Sequence, residues 1–139
     1  MKKKRILAMI LAVASCLSLA VGASAAGTTT RKATDFKDFD KSAWYAEAVS
    51  AAVDNGLLYG KSATIIDPNG DMTRAEMAAI INRSFGCYVK ADISKYKDVS
   101  KDKWYFEDVA MAVQMGTYNG RSNTAMAPDA PITRQEAMT

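Results

Sequence analysis

Two arginines sixty residues apart share one local sequence, Thr73-Arg74-Ala75-Glu76 and Thr133-Arg134-Gln135-Glu136. Thr-x-x-Glu is a capping box: the Thr hydroxyl accepts the N–H three residues on, and the Glu carboxylate accepts the N–H of the Thr. Each arginine is therefore expected at the first position of a helix. There a planar guanidinium can hold a carboxylate bidentately, and the unpaired N–H groups and dipole of the helix start favour the same negative charge. Recognition of an anion is the chemistry this pair could perform, with Arg74 and Arg134 as receptors. The bland alternative pairs each arginine with an acid of its own chain, such as Asp38 or Asp98, and the residues alone leave both readings open.

Little else in the chain suggests reaction chemistry. There is no histidine, which removes the commonest general base and every Ser-His or Cys-His pair. Gly56 to Ser62 reads Gly-x-x-x-Gly-Lys-Ser, one residue short of a phosphate-binding loop, and no strand pattern precedes it. Asp67-Pro68-Asn69-Gly70-Asp71 resembles part of a calcium loop but lacks the closing Glu, and its counterpart Ala127 to Pro131 keeps none of that chemistry. No metal or cofactor is expected, and the chain reads as non-catalytic.

The elements that must position the arginines begin after a targeting segment. Lys2 to Arg5 form a basic start, Ile6 to Val21 an apolar run, and Ala23-Ser24-Ala25 a small-residue cleavage site, the order of a secretory signal peptide over 1–25. A retained anchor, or a lipoprotein built on Val13-Ala14-Ser15-Cys16, are the minority readings. Cleavage leaves no membrane segment. It also removes four of the 18 cations, so 14 face 15 acids and the formal +3 becomes −1. No clustered positive footprint for nucleic acid remains. Cys16 departs with the signal, so Cys87 is alone and neither a disulfide framework nor a zinc site of the usual kind is available.

The mature chain repeats itself at an offset of 60 without gaps. Lys37-Asp38, Trp44-Tyr45, Ala52-Val53, Gly56, Gly60 and Pro68 recur as Lys97-Asp98, Trp104-Tyr105, Ala112-Val113, Gly116, Gly120 and Pro128. After a short linker over 26–34, the units span 35–95 and 96–139. Each reads as helix, structured loop, helix. In the first unit, Tyr45, Ala48, Val49, Ala52 and Val53 make an apolar stripe at helical spacing over 44–55, and Gly56 suits a left-handed terminus. Gly60 and Asp67 to Gly70 mark turns. The second helix starts at the Thr73 cap, carries Met77, Ile80, Ile81, Ser84 and Phe85, and ends at Gly86. The second unit reaches only the first turn or two of its closing helix, so further units or a cargo domain are expected downstream, because two-helix repeats stabilise one another.

These motifs resemble the S-layer homology (SLH) family. The pattern is carried by Phe36-Lys37-Asp38, Trp44, Gly56 and Gly60, Pro68 and Met72-Thr73-Arg74-Ala75-Glu76. It returns as Tyr96-Lys97-Asp98, Trp104, Gly116 and Gly120, Pro128 and Ile132-Thr133-Arg134-Gln135-Glu136. The resemblance implies a mainly α fold of tandem helix-loop-helix repeats forming part of a pseudo-threefold bundle. It implies grooves between units that bind secondary cell-wall polymers, often through a pyruvylated sugar, whose ketal carboxylate would suit Arg74 and Arg134. Location at the bacterial cell wall or surface follows, as does anchoring of an S-layer or envelope protein. Two alternatives are the anchor of a secreted enzyme whose catalytic domain lies elsewhere, and a protein–protein module. Trp44 and Trp104 can stack on a sugar or pack the first helix on the second, with packing slightly favoured. Gly60 and Gly120 can admit a sugar to the backbone or simply turn the chain. Asp38 and Asp98 are expected as structural caps.

Overall fold

The computed structural model describes residues 31–138. The expected signal peptide, 1–25, lies outside them. A single 3-10 turn, Ala33–Asp35, precedes four helices: α1 Ala46–Asp54, α2 Arg74–Phe85, α3 Phe106–Met115 and α4 Arg134–Ala137. Among the described residues there is no strand, only one antiparallel bridge between Thr73 and Pro131. The mainly α fold of two helix-loop-helix units agrees with the sequence reading.

The helix ends form as their residues dictate. Thr73 Oγ1 accepts the Glu76 N–H at 3.2 Å and Glu76 Oε2 accepts the Thr73 N–H at 2.9 Å; Thr133 and Glu136 repeat both bonds at 3.1 and 2.9 Å. Gly86 ends α2 with φ 65°, and Gly116 ends α3 with φ 79°, a region glycine enters without a Cβ clash. Helix α1 starts two residues later than the pattern predicts, at Ala46, which leaves Trp44 ahead of it.

The packing differs from a pair of self-contained hairpins. The most extensive helix–helix contact joins α2 to α3, across the repeat boundary. The face α2 buries is Ala75, Ala78, Ala79 and Asn82, not the larger apolar series. Met77, Ile80 and Ile81 are half-buried and Phe85 is 71% exposed. Small side chains win this face because they let two helix backbones come close. Ala75 and Ala78 enter the larger core, built on Tyr105, Val109, Ala112 and Met126 of the second unit. A smaller core holds Ala33, Phe36, Val53 and Ile66. Asn82 Nδ2 donates to the Asp108 carbonyl at 2.8 Å, and the Ala91 N–H bonds the Ala110 carbonyl at 3.0 Å, tying the segment after Gly86 to α3.

Candidate functional site

Arg74 is 5% exposed, and its guanidinium is committed within the chain. Nε donates to the Met126 carbonyl at 3.2 Å, one terminal nitrogen to the Asn119 carbonyl at 2.8 Å, and the other to Glu136 Oε1 at 2.9 Å. The group also lies over the Tyr118 ring, 4.7 Å from its centroid. The helix-start N–H groups expected to draw an anion are taken as well: the Arg74 N–H bonds the Ala130 carbonyl at 3.0 Å and the Ala75 N–H the Pro128 carbonyl at 2.9 Å. In this arrangement Arg74 is a seam between units and not an open receptor. Its acid partner is Glu136, neither Asp38 nor Asp98. Arg134 shares the motif but is exposed on α4.

The two aspartates fasten loops instead of capping helices. Asp98 accepts the N–H groups of Met126, at 2.9 and 3.0 Å, and Ala127, at 2.6 Å. Asp38 does the same for Ile66 and Asp67. Asp67 and Ala127 have φ of 54° and 52°, the left-handed region that costs a residue with a side chain about 1–2 kcal/mol. The carboxylate therefore holds a strained residue at the same corner of each loop. For Asp38, the Ile66 N–H is the main cause of a carboxyl held below its ordinary value. For Asp98, burial pushes upward, but the Met126 and Ala127 N–H groups outweigh it and the carboxyl is again lowered.

The tryptophans do not pack helix on helix. Trp44 is 94% exposed and Trp104 59%; each meets the following tyrosine edge-on, with centroids 5.8 and 5.4 Å apart. Gly60 and Gly120 sit where the chain folds tightly on itself. A Cβ at Gly60, which has φ 81°, would strike the Phe36 ring and the Ile65 carbonyl. One at Gly120 would lie 2.8 Å from both the Tyr96 ring and the Ala125 carbonyl.

Trp104 and Gly60 meet at an open groove of about 520 Å³ between the first unit's loop and α2. Apolar Val49, Leu58 and Ile80 line it beside Tyr59, Lys61 and Arg83. The Arg83 guanidinium stacks 4.1 Å from the Tyr59 ring centroid and donates to the Leu57 carbonyl at 3.0 Å. Lys61 Nζ bonds the Asp71 carbonyl at 2.8 Å and pairs with Glu76 Oε1 at 3.4 Å. The sequence reading missed these cations. A repeat of charge type held the signal for Lys61, since Arg121 stands at its offset and pairs with Glu136 at 3.2 Å. It also read Glu76 and Glu136 as caps alone, although each uses its second oxygen for a cation.

Glu136 consequently titrates far below its ordinary value, at about 2. The Thr133 N–H is the largest cause, and Thr133 Oγ1 and Arg121 add to it. A carboxyl lowered on folding contributes stability that is fully present above the unfolded value of 4.5 and is lost as pH falls through about 2. Thermal unfolding midpoints followed from pH 6 to pH 2 should therefore decline below about pH 4.5. Glu136→Gln should remove part of that decline, and an identical acid slope in the variant would count against this assignment.

The profile of the S-layer homology domain matches residues 35–78 and 95–138. The chain belongs to the SLH domain family. It is 39% identical over 106 residues to the Surface-layer 125 kDa protein of Lysinibacillus sphaericus, covering 73% of this chain and 9% of that protein. Two further relatives are an Endoglucanase of Bacillus sp. (strain KSM-635), 27% identical over 96% of this chain and 14% of the relative, and a Cell surface protein of Thermoanaerobacter kivui, 26% identical over 93% and 17%. The chain thus spans less than a fifth of the length of these relatives. SLH domains are non-catalytic modules that anchor proteins at the cell surface and bind cell-wall glycans, and the cell wall or surface is where this chain belongs.

Proposed function

We propose that this chain fastens its parent polypeptide to the bacterial wall by holding an acidic secondary wall polymer, without altering it, in the groove of the first unit. The observation that carries the reading is the half-open indole of Trp104 lining the same groove as Gly60, Lys61 and Arg83. An aromatic face and two cations suit a sugar ring that bears a carboxylate, such as a pyruvate ketal. The anion-binding role first expected of Arg74 passes to Lys61 and Arg83, because the Arg74 donors are spent at the seam. The carboxylates of Asp67, Asp71 and Glu76 also line the groove, and binding is the activity assigned to this segment.

The test is sedimentation with purified cell walls. Binding should survive protease treatment of the wall and fall when mild acid strips ketal pyruvate. Trp104→Ala should weaken it about tenfold, near the upper end of what one aromatic contact contributes. Full binding to walls freed of their secondary polymer, or unchanged affinity in Trp104→Ala, would reject the assignment.

A further inference from the structure

Three asparagines stand directly before glycines: Asn55-Gly56, Asn69-Gly70 and Asn119-Gly120. Asparagine is among the thermolabile residues, and before glycine it can close on itself. The glycine N–H gives its proton to water or hydroxide, and the nitrogen attacks the side-chain carbonyl carbon of the asparagine. Ammonia leaves, taking a proton from water, and a five-membered succinimide ring remains. Water then opens the ring. Attack at the side-chain carbon leaves aspartate. Attack at the main-chain carbon leaves isoaspartate, in which the backbone runs through the former side chain and the old main-chain carbonyl becomes a carboxylate. In sum, asparagine and water give an aspartyl residue and ammonia.

The surroundings separate the three pairs. The Gly56 N–H bonds the Val53 carbonyl at 2.9 Å and the Asn55 amide donates to the Ala51 carbonyl at 2.8 Å, so nucleophile and leaving group are both held. The Gly70 N–H bonds the Asp67 carbonyl at 3.2 Å, and the Asp67 carboxylate lies against Gly70. Negative charge there opposes loss of the proton. At the third pair, among the described residues, neither the Gly120 N–H nor the Asn119 side-chain amide has a hydrogen-bond partner. The group that is engaged is the carbonyl between them, which accepts from Arg74 at 2.8 Å. When Gly120 loses its proton, amide resonance spreads the negative charge onto that oxygen, and a guanidinium already in place stabilises charge as it develops.

We propose that Asn119-Gly120 is a self-modifying site, converting through the succinimide ahead of the other two pairs because Arg74 polarises the carbonyl that joins them. The same donor faces the main-chain carbonyl of the ring, so it directs water to that carbon and favours isoaspartate. Arg74 then holds a carboxylate where it held a neutral carbonyl. The second unit's loop gains one negative charge and one backbone carbon at the seam.

The experiment incubates the folded secreted chain in mildly alkaline buffer. Peptide mapping by mass spectrometry follows each asparagine, with electron-transfer fragmentation to tell isoaspartate from aspartate. Asn119 should convert at least about tenfold faster than Asn55 or Asn69, a factor within reach of one hydrogen bond to a charged group. The wild-type chain in denaturant should lose that lead, and its isoaspartate fraction at Asn119 should be lower than in the folded chain. Arg74→Ala, with helical circular dichroism retained, should lose the lead as well. Asn119 reacting no faster than Asn55 or Asn69 in the folded chain, a lead that persists in denaturant, or a lead unchanged in Arg74→Ala would each overturn the proposal.

Discussion

Arg74→Ala should lower the unfolding free energy by about 3 kcal/mol, read from denaturant titration of the secreted chain. Three hydrogen bonds from a charged donor are lost, each contributing about 1.5–3 kcal/mol, together with the stacking on Tyr118. The sum is discounted because Glu136 keeps Arg121 and is partly exposed, so no buried charge is orphaned. The carbonyls of Met126 and Asn119 do lose their partner. Arg74→Lys should recover less than half, since a point charge cannot serve three acceptors fanned around a planar fork. The same change at the duplicated position, Arg134→Ala, should stay within about 0.5 kcal/mol, as for exposed side chains without fixed partners. Equal losses at the two positions would refute the seam, because the motif is shared and only the surroundings differ.

Met126→Ala should cost a similar amount, about 3 kcal/mol. Its side chain is fully enclosed in the larger core beside Val109 and Tyr105, and truncation leaves a cavity among residues fixed from both units. The backbone bonds to Asp98 and Arg74 survive the change, so the loss reports packing alone. Met126→Leu, which nearly conserves volume, should cost less than about 1.5 kcal/mol. Ile66 occupies the corresponding place in the smaller core of the first unit. Thermal or denaturant unfolding measures all of these, and a Met126→Ala variant as stable as the parent would mean that the larger core is not what joins the units.

The sequence exposed the parts whose signals are local. The Thr-x-x-Glu boxes, the glycines at left-handed helix ends and the sixty-residue repeat all appear in the structure where the residues put them. What stayed hidden depends on partners distant in sequence. Periodicity weighs side chains by size, so it chose Met77, Ile80 and Phe85 for the inner face of α2, whereas the core shared with α3 takes Ala75 and Ala78. The fate of Arg74 was hidden for a related reason. Two of its three acceptors are main-chain carbonyls, at Met126 and Asn119, and a carbonyl has no letter in a sequence. The exposure of Trp44 and Trp104 was missed because each sits just ahead of its helix and not on the stripe.

Because α2 lends its small-residue face to the unit that follows, the sequence repeat and the mechanical module are out of phase. Cutting the gene at the repeat border after residue 95 would strip the second unit of the helix that closes its core. Anyone transplanting that unit onto a foreign scaffold would do better to cut within the loop before Thr73, carrying α2 along as part of the graft.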